Sequence, residues 1–306
     1  MISILIPVYN YNCSELIREL SAQRDQYDSA SEIILMDDGS SIFKNKNEMA
    51  ARKHGCEYIE LPENIGRSAI RNKLAAQAHY DWLIFLDCDS RIPEKDFLKK
   101  YLDERDQNRD DVICGGRIFE KKELVGTHCS LHWHCGVYRE PSASSTQKRK
   151  QFLSNNFMIS RELFRKVKFE EQLKEYGHED TLFGIQLRRR GVDIRYINNP
   201  VFHEGLDDNN SFLLKYKKSL SNLKLLKENY LLPEDEREIK ILHLYNRISS
   251  LKLDGVFAFL YKEYARLAER QLKSKKPNLI LFDLYKLGFL CYIMLSDPQQ
   301  PRRNSL

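Results

Sequence analysis

The sequence predicts an α/β fold, a mostly parallel sheet flanked by helices, followed by a helical C-terminal region. Three observations carry this expectation. Short strands that are apolar throughout alternate with helical stretches over the first ninety residues, acidic residues stand directly after two of those strands, and from Ser211 onward the apolar spacing is helical. Strands without a polar face belong to a parallel sheet covered on both sides. In that architecture ligands gather at the carboxyl ends of the strands.

The elements follow in order. Ile2–Val8 is an apolar run of strand length, and Ser14–Gln26 places Leu16, Ile17 and Leu20 at helical spacing. Glu32–Met36 is a second strand, followed by a polar helical stretch to His54. Tyr58–Leu61 is a third strand, Arg67–His79 an Ala-rich helix and Trp82–Leu86 a fourth strand. Beyond Asp89 the rhythm changes. Asp96–Asp103 reads as a helix, Val112–Phe119 as a strand containing Gly115-Gly116, and Glu120–Lys150 as irregular. Phe152–Ser160 reads as a strand, Arg161–Val167 as a short helix, and Glu179–Arg190 as a helix closed by Gly191. Asp193–Ile197 and Val201–Phe202 complete the sheet, and the helical tail breaks near Pro233, Asp254-Gly255 and Pro277.

At 306 residues the chain holds one large domain and a smaller appendage, divided as 1–205 (halves 1–90 and 91–205) and 206–306. With 42% hydrophobic and 30% charged residues it reads as a globular protein rather than a disordered one. Met1 leads into the first strand without a basic region or cleavage site, and the seven cysteines are odd in number and scattered. Both point to free thiols and a cytoplasmic protein. The net charge of +5 is uneven: from Leu206 onward, 18 Lys and Arg face 12 Asp and Glu. A basic tail either meets something anionic or forms a solvated helical face.

The acids carry the chemistry. Asp37-Asp38-Gly39-Ser40 follows Ile33–Met36, and Asp87-Cys88-Asp89 follows Trp82–Leu86. Carboxylates at a strand end either solvate it or reach a hard cation, Mg²⁺ or Mn²⁺, that bridges to phosphates. Two such ends in one half favour the cation, because adjacent like charges need compensation.

An ordered set of motifs makes the reading specific. Ser3–Asn10 (SILIPVYN), Asp37–Ser40 (DDGS), Asn64–Asn72 (NIGRSAIRN), Asp87–Asp89 (DCD), Asn155–Ser160 (NNFMIS) and Gly177–Asp180 (GHED) resemble the family 2 glycosyltransferases with the GT-A fold, in that family's order, across about residues 1–205. The resemblance implies transfer of a sugar from a nucleotide-sugar donor, UDP-linked, to an acceptor hydroxyl of a polysaccharide or glycolipid. It implies that Pro7, Val8 and Tyr9 line the base, with Asp38 (or Asp37) accepting its N–H. Asn64, Arg71 and Asp87 join the nucleotide site, Arg71 near base or phosphates and Asp87 facing the ribose. Asp89 holds Mn²⁺ or Mg²⁺, and His203 is either a second ligand or a structural histidine. Such a cation neutralises the charge that develops on the departing diphosphate.

Asp180 is the expected catalytic base, at a helix start where the dipole tolerates a carboxylate, and Glu179 beside it is expected at the sugars; the alternative is that both cap the helix. One base and no evident nucleophile imply inversion. Asn155 and Asn156 fall in the part of the resemblance that faces the acceptor and donor sugars. The cluster His128-Cys129-Ser130-Leu131-His132-Trp133-His134-Cys135 has zinc-ligand residue types but no second C-x-x-C pair. It reads as a loop or strand beside the acceptor, where Trp133 stacks on a sugar ring.

Other classes fit less well. A nucleotidyltransferase or dinucleotide oxidoreductase needs a glycine-rich loop after the first strand, and Tyr9–Asn12 has no glycine. An inactive nucleotide-binding scaffold would lose Asp87, Asp89 or Asp180, all present. Nucleic acid is not expected, since the tail's lysines are interleaved with leucines at helical spacing. The stretch Pro277–Leu295, preceded by Lys273, Lys275 and Lys276, is apolar but interrupted by Asp283 and Lys286. It reads either as an interfacial helix giving peripheral contact with an anionic membrane or as a helix packed on protein.

Overall fold

The structure is a computed structural model and describes residues 1–107, 112–140, 152–173, 176–228 and 239–296. The expected break at Pro233 and residues 141–150 of the expected irregular stretch lie outside the described residues.

The first compact unit is the α/β part. Its strands β1 (Ser3–Val8), β2 (Glu32–Asp37), β3 (Glu57–Glu60) and β4 (Trp82–Leu86) are parallel and are linked by helices α1 (Ser14–Tyr27), α2 (Lys44–Lys53) and α3 (Arg67–Gln77). After β5 (Ser90–Arg91) and α4 (Phe97–Arg105) come β6 (Val112–Cys114) and β7 (Arg117–Ile118). Helix α5 (Ser130–Arg139) precedes β8 (Asn156–Ser160), α6 (Arg161–Val167), α7 (Glu179–Arg189), β9 (Ile194–Tyr196) and β10 (Val201–His203). The main sheet has the order β3-β2-β1-β4-β8-β6-β9, and β5-β10-β7 form a small second sheet. In the main sheet β8 runs antiparallel to β4 and β6, and in the small one β10 runs antiparallel to β5.

This order follows from the sequence physics. Residues Ile4, Leu5 and Ile6 of β1, Ile33–Met36 of β2 and Leu83–Leu86 of β4 are buried on both faces of the sheet. One face packs Leu16, Ile17 and Leu20 of α1. The other packs Ile70 and Leu74 of α3 together with an aromatic group in which Phe85 stacks on Phe157 and Phe164 at 4.8 and 5.0 Å. Because β1 lies between β2 and β4, crossovers leave it in opposite directions and open a crevice at the carboxyl ends of β1 and β4.

Three expectations are corrected. The strand expected over Val112–Phe119 is split at Gly115-Gly116, where Gly116 has φ of 77° and a Cβ on Gly115 would lie 2.8 Å from the Tyr101 hydroxyl. The strand expected from Phe152 begins only at Asn156. The segment around Trp133 is helical, within α5, and not the loop or strand expected.

The second unit holds α8 (Asn209–Glu228), α9 (Lys240–Ser250), α10 (Asp254–Leu272) and α11 (Leu279–Leu295), with the N-terminal half of α5. Leu131, Phe212, Leu213, Leu272, Phe282 and Tyr285 form its core. The tail breaks at Ser250–Leu253, where Lys252 has φ of 57°, so Asp254 and Gly255 open a helix instead of ending one. α11 buries Phe282, Tyr285, Leu287, Gly288, Leu290 and Cys291 and leaves Ile280, Leu284, Tyr292 and Leu295 exposed. Asn278 caps it, accepting from the amides of Ile280 and Leu281. Among the described residues no helix is long and apolar enough to cross a membrane.

Candidate active site

The carboxyl ends of β1 and β2 are stitched together by short polar side chains. Asn10, at φ of 50°, accepts from the Ser41 amide at 2.7 Å and donates its own amide to the Ser40 hydroxyl at 2.8 Å. Asp37 is fully buried and accepts from the Ser40 amide at 2.6 Å and the Tyr58 hydroxyl at 2.9 Å. Asp38 accepts from the amides of Ile65 at 2.7 Å and Gly66 at 3.1 Å, which anchors the loop ahead of α3. Burial raises the Asp38 carboxyl above its ordinary range, opposed by those two amides and supported by Asp37. Gly39, at φ of 68°, lets this turn lie on the backbone of Glu63 and Asn64, which a Cβ would meet at 2.7 and 2.8 Å. Of the residues expected at the base, Tyr9 is 53% exposed and Pro7 half-buried, whereas the Val8 side chain packs into the core; Asn64, expected in the nucleotide site, is exposed.

At the end of β4, Leu86 pairs with Asn156, so the Asp87 amide donates to the Asn155 carbonyl at 2.9 Å. Arg71 reaches this point from α3. It is 2% exposed, donates to Asp87 at 2.7 Å and lies 5.5 Å from the Phe169 ring centre. It is therefore an interior arginine that fixes a site carboxylate, in contrast to a surface residue on an amphipathic helix.

Asp89 and His203 come together through the small sheet. His203 opposes Ser90, the Glu204 amide donates to the Asp89 carbonyl at 2.9 Å, and His203 Nδ1 lies 3.4 Å from Asp89 Oδ2. Burial pushes the Asp89 carboxyl up, but the hydrogen bond and charge of His203, with Arg117 and Arg67, prevail and hold it at about 2. Asp89 Oδ1 is buried without a hydrogen-bond partner. An ionised carboxylate with an orphaned oxygen, beside an imidazole, supplies ligand types suited to Mn²⁺ or Mg²⁺, and among the described residues no third His, Cys, Asp or Glu joins them in a metal-holding group.

Asp180 stands in the first turn of α7. Its Oδ2 accepts from the Ser154 amide at 3.2 Å, and its Oδ1 is buried and unpartnered. Burial raises its carboxyl above the ordinary range, with Glu179 adding to the rise while Arg71 and Ser154 oppose it. Glu179 is 6% exposed, lies 3.8 Å from Arg67 and keeps Oε2 unpartnered. Asn155 is 7% exposed with its Oδ1 also unpartnered. Orphaned buried oxygens on Asp89, Asn155, Glu179 and Asp180 mark atoms that a ligand would satisfy.

Two expected sugar contacts are placed elsewhere. Asn156 is fully buried, accepts from the Tyr101 hydroxyl at 2.7 Å and donates to the carbonyls of Asn199 and Gly116 at 2.9 and 3.1 Å, so its amide is spent on the scaffold. Trp133 belongs to the second unit, is 6% exposed and meets the His134 ring edge-on at 5.0 Å, so neither face is open to stack on a sugar. His134 Nδ1 bonds the Ser130 carbonyl at 2.7 Å, and His132 Nδ1 takes the Asp207 amide at 2.9 Å.

Sequence reasoning overlooked Arg67 and Gly205. Gly205 has no room for a side chain, since a Cβ there would overlap Asp89 Oδ2 and sit 2.8 Å from its Cγ. A glycine two residues after a candidate ligand histidine was the available signal of close backbone approach.

Comparison with known proteins agrees with this fold. The chain matches Glycosyl transferase family 2 over residues 3–172. An uncharacterized glycosyltransferase of Haemophilus influenzae is 34% identical over 185 residues, 60% of this chain and 70% of that protein. Among solved structures, TarS 1–349 of S. aureus in complex with UDP-GlcNAc is 17% identical, with a TM-score of 0.52 over 96% of this chain and 91% of its own. The mannosyltransferase PcManGT of Pyrobaculum calidifontis, in complex with GDP-Man and Mn²⁺, is 12% identical, with a TM-score of 0.60 over 96% and 86%. These structural likenesses are of fold, and it is the family match across more than half of the sequence, over the strands that carry Asp38, Asp87 and Asp89, by which this chain belongs to glycosyl transferase family 2.

Proposed function

We propose that the protein is an inverting glycosyltransferase that moves a hexosyl or N-acetylhexosaminyl group from a UDP-linked donor to a hydroxyl of a polysaccharide or glycolipid acceptor. The observation that supports this most is Asp180: it is one of two carboxylates in the first turn of α7, each with an orphaned oxygen, and burial raises its pKa. A raised pKa makes it a better proton acceptor for an attacking hydroxyl, and displacement by that hydroxyl without a covalent intermediate inverts the anomeric centre.

The other residues divide the remaining work. Tyr9 and Pro7 offer surface to the base beside the Asp38 turn. Arg71 holds Asp87 in one rotamer for the ribose, and its charge limits how far the Asp180 pKa rises. Asp89 and His203 would hold Mn²⁺ or Mg²⁺, which when bound supplies Lewis-acid stabilisation of the leaving diphosphate. Glu179 and Asn155 present unpartnered oxygens to sugar hydroxyls.

The test is a thermal-shift and donor-hydrolysis panel of UDP- and GDP-sugars with and without Mn²⁺, on wild type and Asp89→Ala. Stabilisation by one UDP-sugar that requires metal and is lost in Asp89→Ala is the expected result, with the anomeric configuration of the product then read by NMR. A folded protein that responds to no nucleotide sugar would overturn the assignment, and retention of configuration would overturn the role given to Asp180.

A further inference from the structure

Helix α10 is apolar on two sides, and the packing of its own unit covers only one. Its inner side presents Phe257, Ala258, Tyr261, Ala265 and Leu272 to the cores of the second unit. It approaches α11 so closely at Gly288 that a Cβ there would lie 2.9 Å from the Tyr261 Cβ. On its outer side Val256, Phe259, Leu260, Tyr264 and Leu267 follow at i, i+3, i+4, i+8 and i+11 and are 44–60% exposed. A helix of a globular protein normally turns charged and polar residues to that side. Five large apolar side chains in one stripe mark an interaction surface.

Charge selects the occupant. From Lys240 to Lys276 there are nine Lys and Arg against three Asp and Glu, a net charge of +6. Lys252, Lys262, Arg266, Arg270, Lys275 and Lys276 are all exposed around the stripe. Of the three acids, Glu269 is already engaged by Tyr285 at 2.6 Å and Lys217 at 3.1 Å, which leaves Glu263 as the exposed one. A second copy docked on this face would set two basic rims against each other. A bilayer with anionic headgroups complements the rim and takes the apolar stripe into the headgroup boundary.

We propose that the outer face of α10 seats this protein on a membrane surface rich in anionic lipid, lying in its plane and not crossing it. The helix concerned is α10, which exposes five large apolar side chains within twelve residues; α11 buries Phe282, Tyr285, Leu287, Leu290 and Cys291 in its own unit and exposes Ile280, Leu284, Tyr292 and Leu295. The inference stands apart from the identity of donor and acceptor. The test is cosedimentation of the full chain with vesicles of phosphatidylcholine alone or mixed with phosphatidylglycerol, at low and high salt, alongside light scattering. Binding only to the anionic vesicles, weakened by salt, is expected. The exposed triple substitution Phe259→Ser, Leu260→Ser, Leu267→Ser should weaken it by about tenfold or more at unchanged melting temperature and molar mass. Three outcomes would overturn the proposal: wild type left in the supernatant with anionic vesicles at low salt, undiminished binding by the triple variant, or a wild-type dimer that the triple variant converts to monomer.

Discussion

Gly205→Ala isolates the Asp89 position from everything else in the fold. Gly205 does not have the positive φ of Gly39 or Gly191, so alanine meets no backbone objection there. Its only obstacle is space: the new Cβ would sit 2.8 Å from the Asp89 Cγ and 2.9 Å from its Cβ, and would overlap Oδ2. Relaxed carbon contacts lie at about 3.5–4.0 Å, so the carboxylate must move by roughly 1 Å. Asp89 has little freedom to do so, being tied to His203 at 3.4 Å and to the Glu204 amide through its carbonyl. Overpacking of this kind costs about 1–3 kcal/mol of stability. Misplacing a ligand-binding group by about 1 Å costs on the order of a hundredfold in activity. The assay pairs donor-hydrolysis kcat/KM with direct Mn²⁺ titration, so that metal affinity is read even if the preferred acceptor is not supplied. Gly255→Ala is the control, because nothing lies within 4 Å of its Cβ position at the start of α10; it should gain up to about 1 kcal/mol and leave activity unchanged. Wild-type kcat/KM and Mn²⁺ affinity in Gly205→Ala would refute the reasoning.

Other substitutions test the neighbouring groups. Asp180→Asn removes a carboxyl whose folded pKa lies above its ordinary value of 3.8. The native state binds more protons than the unfolded one between those two values, so wild-type stability falls as pH rises through that window. The variant should therefore melt higher than wild type at pH 7, with the difference vanishing below the ordinary value, while kcat falls by about 10²–10⁴-fold; a lower melting temperature at pH 7 contradicts the assignment of burial as the dominant cause. Arg71→Met leaves the partly exposed Asp87 unpaired and removes a cation that lowers the Asp180 pKa. Chemical denaturation should show a loss of about 2–4 kcal/mol, and the acidic limb of the kcat/KM profile should move to higher pH. Gly39→Ala combines a left-handed φ with a clash against the Glu63–Asn64 backbone, so UDP titration should show weakened binding with a stability loss of about 2–4 kcal/mol.

The parts of the fold legible in the sequence are those decided locally. β1, β2 and β4 are apolar on both faces, and such runs have few alternatives to a buried parallel sheet. Asp38, Asp87 and Asp89 follow from the same pattern, because a carboxylate directly after such a strand emerges at the crevice. Helix α5 was not legible. It contains two histidines, a tryptophan, a cysteine and Gly136, all modest or poor helix formers, and is read locally as a loop. What decides it is tertiary: Leu131 and Cys135 are buried in the core of the second unit, and Gly136 makes room for the Phe119 ring, whose Cε1 a Cβ would meet at 2.6 Å. The burial of Asn156 was hidden for the same reason, since its partners Tyr101, Gly116 and Asn199 lie 55, 40 and 43 residues away.

The site also explains why its most conspicuous cation is interior. Asp37, Asp38, Asp87, Asp89, Glu179 and Asp180 bring six carboxyl groups to the strand ends and to the start of α7. Hydrogen-bond donors from the turns absorb Asp37 and Asp38, and His203 faces Asp89. Asp87 and Asp180 have no comparable set, and Arg71 serves both, through a direct bond to one and through its charge on the other. Among the described residues no acceptor meets the Arg71 Nε–H, which is buried without a partner, as is the hydroxyl of Ser68 one turn earlier on α3. Arg71 therefore couples the nucleotide side to the base side: a change in the Asp87 contact alters the field at Asp180. The pH profile of Asp87→Asn separates this coupling from simple scaffolding. With Arg71 released from Asp87, its charge turns more fully toward Asp180, and the acidic limb of kcat/KM should move to lower pH, opposite to Arg71→Met. A shift in the same direction for both variants would mean that Arg71 only supports the structure.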